Sequence, residues 1–264
     1  MKEMLLSSTG QDAKTVAIKA AREAGAILRQ HFYRKRKIET KGNRNLVTEA
    51  DLLSEKCILN ILQEEFPGHS ILCEESGKHD TESQYRWIID PLDGTTNYAF
   101  GIGHFCVSIA LMEGNDILMG ILYDPLKEEL FEAQAGQGAY LNDSPISVAS
   151  LRNLNTIVIG FDLGYSDTAS KEILVRANAL WNPNITFRLM GSGALGIGYV
   201  ACGRTDLYFH RSLYPWDIAA AILLVREAGG EVTDWEDNPA TIRSSEIIAC
   251  GDFSAYKSLI SALK

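Results

Sequence analysis

Trp87-Ile88-Ile89-Asp90-Pro91-Leu92-Asp93-Gly94-Thr95-Thr96-Asn97 is the stretch on which the reading of this chain turns. The apolar run predicts a buried strand. Asp90-Pro91 is expected to end it, because proline has no N–H to donate and biases the residue before it toward extended backbone. The turn beyond carries two carboxylates, a glycine and a hydroxyl. Two acids three residues apart repel each other unless a cation sits between them, and oxygen-only ligands suit Mg2+ better than Zn2+ or copper. Asp-Gly is also a common turn pair whose carboxylate satisfies turn backbone. The stretch alone therefore leaves a metal site and an ordinary turn both open.

Two other segments bear on that choice. Trp216-Asp217 opens an apolar helical run to Val225, ended by Gly229-Gly230, with Asp217 at or near the N-cap. Thr48-Glu49-Ala50-Asp51 opens an amphipathic helix over residues 48–66, with Leu52, Ile58, Ile61, Leu62 and Phe66 at helical spacing. A short strand over 70–73 then leads into Glu74-Glu75-Ser76-Gly77. Taken singly, Asp217 is a helix cap and the glutamates are solvated loop charges.

Taken together, Leu46-Val47-Thr48-Glu49-Ala50-Asp51, Glu74-Glu75-Ser76, residues 87–97, and Trp216-Asp217 with Glu227-Ala228-Gly229-Gly230 resemble the four signature blocks of the inositol monophosphatase family in order and spacing. The likeness runs from about Ala13 to the C-terminus. It implies an α/β fold of alternating α-β-α-β-α layers, the inositol monophosphatase and fructose-1,6-bisphosphatase type, commonly as a homodimer. It also implies two or three Mg2+ ions per site. Glu74, Asp90 and the Leu92 carbonyl match ligands of a first ion; Asp90, Asp93 and Asp217 match those of a second; Glu74 faces a third, weaker one. Asp51 and Thr95 match the pair that orients the attacking water, and the N–H groups of Gly94 and Thr95 match a phosphate cradle. Lys41, in a polar loop, matches a flap near the metals.

The activity so implied is Mg2+-dependent, lithium-sensitive phosphomonoester hydrolysis by a metal-activated water, with no protein nucleophile. Inositol-1-monophosphatase is the first expectation. Fructose-1,6-bisphosphatase, 3'(2'),5'-bisphosphate nucleotidase and histidinol-phosphatase are alternatives on the same scaffold. A regulatory binding protein in a transcription complex is the alternative of another class. Gly191-Ser192-Gly193-Ala194 matches the substrate-facing turn, joined by Asp93 and Asp217. His210-Arg211 stands where inositol-handling members often have a glutamate; facing substrate, the pair would favour a second anionic group. Solvent-facing loop residues are the other reading of that pair.

Composition agrees with an enzyme without identifying one. The chain has 264 residues, 46% of them hydrophobic and 22% charged. Its longest purely apolar run, residues 218–225, falls far short of the roughly 20 residues needed to cross a bilayer. The first residues carry too short an apolar stretch for a secretory signal, which points to the cytoplasm. Five cysteines, odd in number and never in Cys-x-x-Cys, read as reduced residues and not as a zinc site. A net charge of −9 argues against nucleic acid as a partner. The conspicuous basic run, residues 34–37, reads as a solvated helix end.

Hydrophobic periodicity predicts helices over 12–32 and 48–66. Strands follow at 70–73, 87–89, 105–112, 117–123 and 129–133, with a hairpin turn at 113–116. Polar residues from Ser144-Pro145 through Asn155 suggest a boundary between an N-terminal half, about 1–145, and an α/β C-terminal half, about 146–264. In the second half strands are expected at 156–161, 185–189 and 206–209, and helices at 170–180, 194–201 and from 216. Because Asp217 must join Asp90 and Asp93, the halves are expected to form one phosphatase unit with its site in their shared cleft.

Overall fold

α1 (Ala13–Phe32) forms because Val16, Ala20, Ala24 and Leu28 recur on one face, and Asp12 caps it by accepting the Thr15 N–H at 2.9 Å. The computed structural model to which it belongs describes residues 5–34, 38–42, 45–149, 157–164, 166–254 and 256–263. A hairpin of β1 (Ile38–Gly42) and β2 (Asn45–Thr48) leads into α2 (Glu49–Glu65).

A large sheet then assembles from β3 (Ser70–Cys73), β4 (Gly77–His79), β5 (Tyr85–Asp93), β6 (Cys106–Glu113), β7 (Asp116–Asp124), β8 (Glu129–Gln134), β9 (Ala139–Leu141) and β10 (Ser144–Ile146). Among the described residues its order is β10-β9-β8-β7-β6-β5-β3-β4, antiparallel except where β3 meets β5. α3 (Thr95–Phe100) leaves this sheet after β5. The remaining elements are β11 (Ile157–Phe161), α4 (Asp167–Leu180), β12 (Ile185–Leu189), α5 (Gly193–Ala201), β13 (Leu207–Arg211), α6 (Pro215–Glu227), β14 (Glu231–Thr233), β15 (Glu246–Cys250) and α7 (Lys257–Leu263). Their strands form a second sheet in the order β12-β11-β13-β15-β14, parallel across β12-β11-β13 and antiparallel beyond.

The period-2 alternation of strand side chains sorts the core into layers. Trp87, Ile89, Val107 and Ile109 face α1 and α2, while Ile88, Cys106, Ala110 and Leu122 face α5 and α6. The other side of α5 and α6 meets Tyr208, Ile247 and Ala249 of the small sheet. The outer face of that sheet, with Ile159, Phe209 and Ile248, packs on Ile173 and Ala177 of α4 and on Ile260 and Leu263 of α7. The order is therefore α-β-α-β-α, as expected. Every residue of α6 from Ile218 to Val225 is buried, which explains its all-round apolar sequence: it lies between two sheets.

One expectation is corrected. β5 does not stop at Asp90-Pro91 but continues to Asp93. Asp90 pairs with Ser108 and Asp93 with Cys106, so three steps on β5 oppose two on β6. Pro91 lies in this bulge, where the missing N–H breaks no regular ladder bond. The Gly114-Asn115 loop closes the β6–β7 hairpin as expected, with Glu113 opposite Asp116. The basic residues at 35–37, the side chain of Lys41 and residues 150–156 of the expected boundary lie outside what is described.

Gly120 on β7 lets α6 approach closely, since a Cβ there would lie 2.6 Å from the Ala220 carbonyl oxygen and 2.8 Å from its Cα. Backbone cannot rotate away as a side chain can. Gly120→Ala should therefore destabilise the protein by about 1–3 kcal/mol through overpacking, read as a fall in Tm of several degrees. An unchanged melting curve would show that α6 has room to move.

Candidate active site

The bulge on β5 gathers the first acids. Asp90 accepts the Leu92 N–H on Oδ1 at 2.9 Å, a local bond that holds its carboxylate against the chain it came from. The Ser54 hydroxyl of α2 donates to the Pro91 carbonyl at 2.8 Å, anchoring the bulge from below. Asp217 arrives from the opposite side. It is the third residue of α6, after Pro215 and Trp216, and accepts the Tyr214 N–H at 2.7 Å. Its capping role and its place in the site are thus the same geometry, with the carboxylate at the positive end of the helix. Ligand oxygens of Asp90, Asp93 and Asp217 lie within 4.8 Å of one another.

Asp93 is held by a fork of donors from the start of α5. The Ser192 hydroxyl and the Ala194 N–H, the latter at 3.0 Å, donate to Oδ2, and the Gly193 N–H donates to Oδ1 at 3.1 Å. One carboxylate from the large sheet thereby caps a helix of the second half of the chain. Gly94 makes the turn from β5 into α3 with φ +95°. A Cβ on it would lie 3.1 Å from the carbonyl oxygens of Gly191 and His104.

A second group adjoins. Asp51, at the start of α2, is fully buried and accepts the Thr48 hydroxyl at 2.6 Å and N–H at 2.8 Å on Oδ2. Its Oδ1 lies 3.1 Å from Thr95 Oγ1, which is also 3.0 Å from the Leu92 carbonyl oxygen. The single hydroxyl proton of Thr95 can serve only one of these acceptors fully.

Burial raises the acids together. Asp90 is pushed well above the usual carboxylate range, first by burial and then by the charges of Glu74, Asp93 and Asp217. Asp217 is raised by burial and by Asp93, against the Tyr214 N–H. Asp93 is raised by burial, and its donors from Ser192, Ala194 and Gly193 oppose the shift. Asp51 is raised to about 6, mainly by burial. The Glu74 charge acts on Asp90 and Asp217, whereas that of Glu75 acts on Asp51. Buried carboxylates of one sign, offering only oxygen, fit a hard divalent cation. Cys106 Sγ lies 3.8 Å from Asp93 Oδ2, and burial drives its thiol upward.

A cleft of about 590 Å³ opens over these groups, lined by Asp93, Gly94 and Thr95, by Gly191, Ser192 and Gly193, and by His210 and Asp217. Leu46, Phe100, Leu163, Leu189 and Leu213 add an apolar rim. Ala194 lies behind the wall, reaching the site through its N–H on Asp93. Arg211 is not brought to the cleft. Successive strand residues face opposite ways, so with His210 on the Tyr208 face of β13, Arg211 turns to the outer face. There it pairs with Glu172 and Glu246 and lies over the Trp235 ring at 5.1 Å. His210 is buried, and burial lowers it to about 4, so it is neutral near pH 7.

The sequence does not single out Asp162 or Tyr208, and it marks Asn97 only as the end of the stretch over 87–97. Asp162 lines the cleft, is buried, and is raised to about 7 by burial against hydrogen bonds from Gly191 and Tyr208. The available signal was the pattern that singled out Asp90, an acid ending an apolar strand, here Ile157-Val158-Ile159-Gly160-Phe161-Asp162.

Fold and site together define a layered α/β protein with a buried acidic centre that fits divalent cations. The chain belongs to the inositol monophosphatase family, whose model matches residues 11–264. It is 39% identical over 238 residues to a protein of Pasteurella multocida named Nus factor SuhB, covering 89% of each chain. The crystal structure of the extragenic suppressor protein suhB from Bartonella henselae superposes with a TM-score of 0.89 at 38% identity, covering 95% of this chain and 98% of that one. The inositol monophosphatase from Anabaena superposes with a TM-score of 0.81 at 36% identity, covering 94% of each. Among the described residues, no helix is long and apolar enough to cross a membrane.

Carboxylates whose folded-state pKa is raised bind protons more tightly folded than unfolded, so their contribution to stability falls as pH rises above the unfolded value near 3.8. In EDTA at pH 8, Asp90→Asn should accordingly melt above the wild type, and the gap should close as pH falls toward about 4. Added Mg2+ should raise the wild-type Tm and close the gap from the other side, by about 2.7 kcal/mol at a hundredfold excess over Kd. Equal melting of the two proteins in EDTA at pH 8 would contradict the mutual repulsion.

Proposed function

We propose that this protein is a Mg2+-dependent phosphomonoester hydrolase with an inositol monophosphate as its first-choice substrate. The convergence of Asp90, Asp93 and Asp217 beside the Asp51–Thr95 pair carries this reading. Glu74, Asp90 and the Leu92 carbonyl would hold one Mg2+, Asp90, Asp93 and Asp217 a second, and Glu74 would face a weaker third. Bound there, Mg2+ supplies acidification of water and neutralisation of charge on the phosphoryl group and leaving oxygen.

The chain's own residues do the positioning. Thr95 Oγ1, donating to Asp51, presents its lone pairs to a water and aligns it for in-line attack on phosphorus. Asp51, raised to about 6, is ionised near pH 7 and basic enough to draw the proton passed through Thr95. The N–H groups of Gly94 and Thr95, at the start of α3 where no helical acceptor exists, receive phosphoryl oxygens. A water oxygen–phosphorus bond forms as that water's proton moves toward Asp51, the ester oxygen–phosphorus bond breaks, and the departing oxygen takes a proton from solvent to leave as the alcohol.

The pairing of Arg211 with Glu172 and Glu246 supports a substrate with one phosphate over a bisphosphate. Neutral His210 suits hydroxyl recognition better than charge recognition. Lithium sensitivity, a homodimer and a cytoplasmic location belong to the same reading on the strength of the family. A second reading is favoured by relatives named Nus factor SuhB: a binding role in a transcription complex, beside catalysis or in place of it. Those names weigh against the expectation that nucleic-acid assemblies are not partners.

Initial rates of phosphate release with Mg2+ from myo-inositol 1-phosphate, fructose 1,6-bisphosphate, adenosine 3',5'-bisphosphate and histidinol phosphate test the assignment. Inositol phosphate should be preferred. Thr95→Ala and Asp51→Asn should each lower kcat by about 10²- to 10⁴-fold, with Thr95→Ala still binding metal. Asp90→Asn should be nearly inactive; ordinary Mg2+-dependent turnover by that variant would remove the metal assignment.

A further inference from the structure

The turn that holds Asp93 is itself held at one peptide. The Met190–Gly191 peptide donates its N–H to Asp162 Oδ1, and its carbonyl accepts Asn97 Nδ2 at 2.9 Å. Both ends of its dipole are thus gripped by side chains, and its plane is set. Asn97 also donates to the His104 carbonyl at 2.8 Å, and Asp162 accepts the Tyr208 hydroxyl on Oδ2 at 2.8 Å. Gly191 has φ +71°, and a Cβ there would fall 2.6–2.9 Å from the Asn97 amide, so this plane and this packing require glycine. One residue further on begin the donors that converge on Asp93.

The choice of a carboxylate at position 162 is informative. Gly191 N–H and Tyr208 O–H are both donors, and the ionised acid, the form favoured above about pH 7, accepts at both oxygens without reversing one of them. An asparagine could receive the Gly191 N–H, but would then present an NH2 group to Tyr208. A buried carboxylate is a costly way merely to fill space between a strand end and a turn. Its cost is understandable where a charge-assisted bond to a backbone N–H must hold a peptide to a fraction of an ångström.

We propose that Asp162 is a positioning residue: by holding the Gly191 N–H it sets the Met190–Gly191 peptide, and through it the Ser192–Ala194 donors that orient the Asp93 carboxylate. This rests on the reading of Asp93 as a metal ligand. Asp162 acts through the turn and not on the substrate. Its loss should therefore appear in metal binding and in kcat before it appears in KM.

The test uses the full chain with Mn2+ as a spectroscopic probe, bound Mn2+ being counted by electron paramagnetic resonance, alongside Mg2+ titration of initial rates on myo-inositol 1-phosphate. Asp162→Ala should weaken Mn2+ binding and raise the Mg2+ concentration for half-maximal rate about 10-fold, the low end of the range for removing a direct partner of a metal ligand, because Asp162 reaches Asp93 through the turn. Asp162→Asn should recover part of the loss. Tyr208→Phe, which leaves the Gly191 acceptor in place, should do less than Asp162→Ala, and any rise in KM at saturating Mg2+ should be smaller than the shift in Mg2+ dependence, because the same turn lines the cleft. Folded Asp162→Ala with wild-type Mn2+ affinity and Mg2+ dependence would overturn the proposal, as would an effect confined to KM. If Asp162→Ala fails to fold, Asp162→Asn decides: reduced Mn2+ affinity supports the proposal and unchanged affinity sinks it. Wild-type protein that binds Mn2+ but releases no phosphate would refute the phosphatase reading while the Mn2+ comparison still judged Asp162; wild-type protein that binds no Mn2+ would refute both.

Discussion

Like charge held together under burial is the constraint on which this molecule turns. Asp90, Asp93 and Asp217 offer oxygens within 4.8 Å of one another, and two of the three are almost wholly out of solvent. No isolated strand or helix would keep such a group, because in water the carboxylates would move apart and stay hydrated. They stay because each is tied to rigid backbone. Asp90 is held by its own bulge, Asp93 by the start of α5, and Asp217 by the first turn of α6. That arrangement suits the site to a cation, and the fold supplies the bonds that hold the oxygens in place.

α6 brings the third of these acids to the two on β5. Being apolar on all sides, it packs between two sheets, and at Gly120 it comes within backbone contact of β7. Its N-terminus is therefore located by its core packing, and Asp217 is delivered to the cleft as a consequence. Asp93 works in the reverse direction, since a carboxylate of the large sheet caps a helix belonging to the small sheet's half. Site and layer packing are two descriptions of the same contacts. Changes in one should be felt in the other.

Much of the fold was legible because burial leaves a period in the sequence. The alternation around Trp87-Ile88-Ile89 divides the two faces of β5, and the uninterrupted apolar run of α6 announces a helix covered on every side. Where a residue's role depends on register or on an irregularity, the sequence was less clear. Pro91 reads as the end of a strand, yet a bulge absorbs it and β5 runs on to Asp93. His210 and Arg211 read as a pair, yet adjacent positions on β13 face opposite layers. Beyond ending an apolar strand, Asp162 carries no local signal of its role, because its partners, Gly191 and Tyr208, lie 29 and 46 residues away along the chain.

Residue types and local shapes were thus already written in the linear chain: carboxylates at strand ends and helix starts, glycines where the chain must turn left-handed, and helices and strands in the order that builds five layers. Those properties follow from neighbouring residues, so the linear order contains them. Packing alone sets which carboxylates converge, which of Glu74 and Glu75 acts on Asp90, that Arg211 turns away from the cleft, and that the Met190–Gly191 peptide is held from both sides. Each depends on distances between segments far apart in the chain, and such distances are set by the packing of the two sheets around α5 and α6.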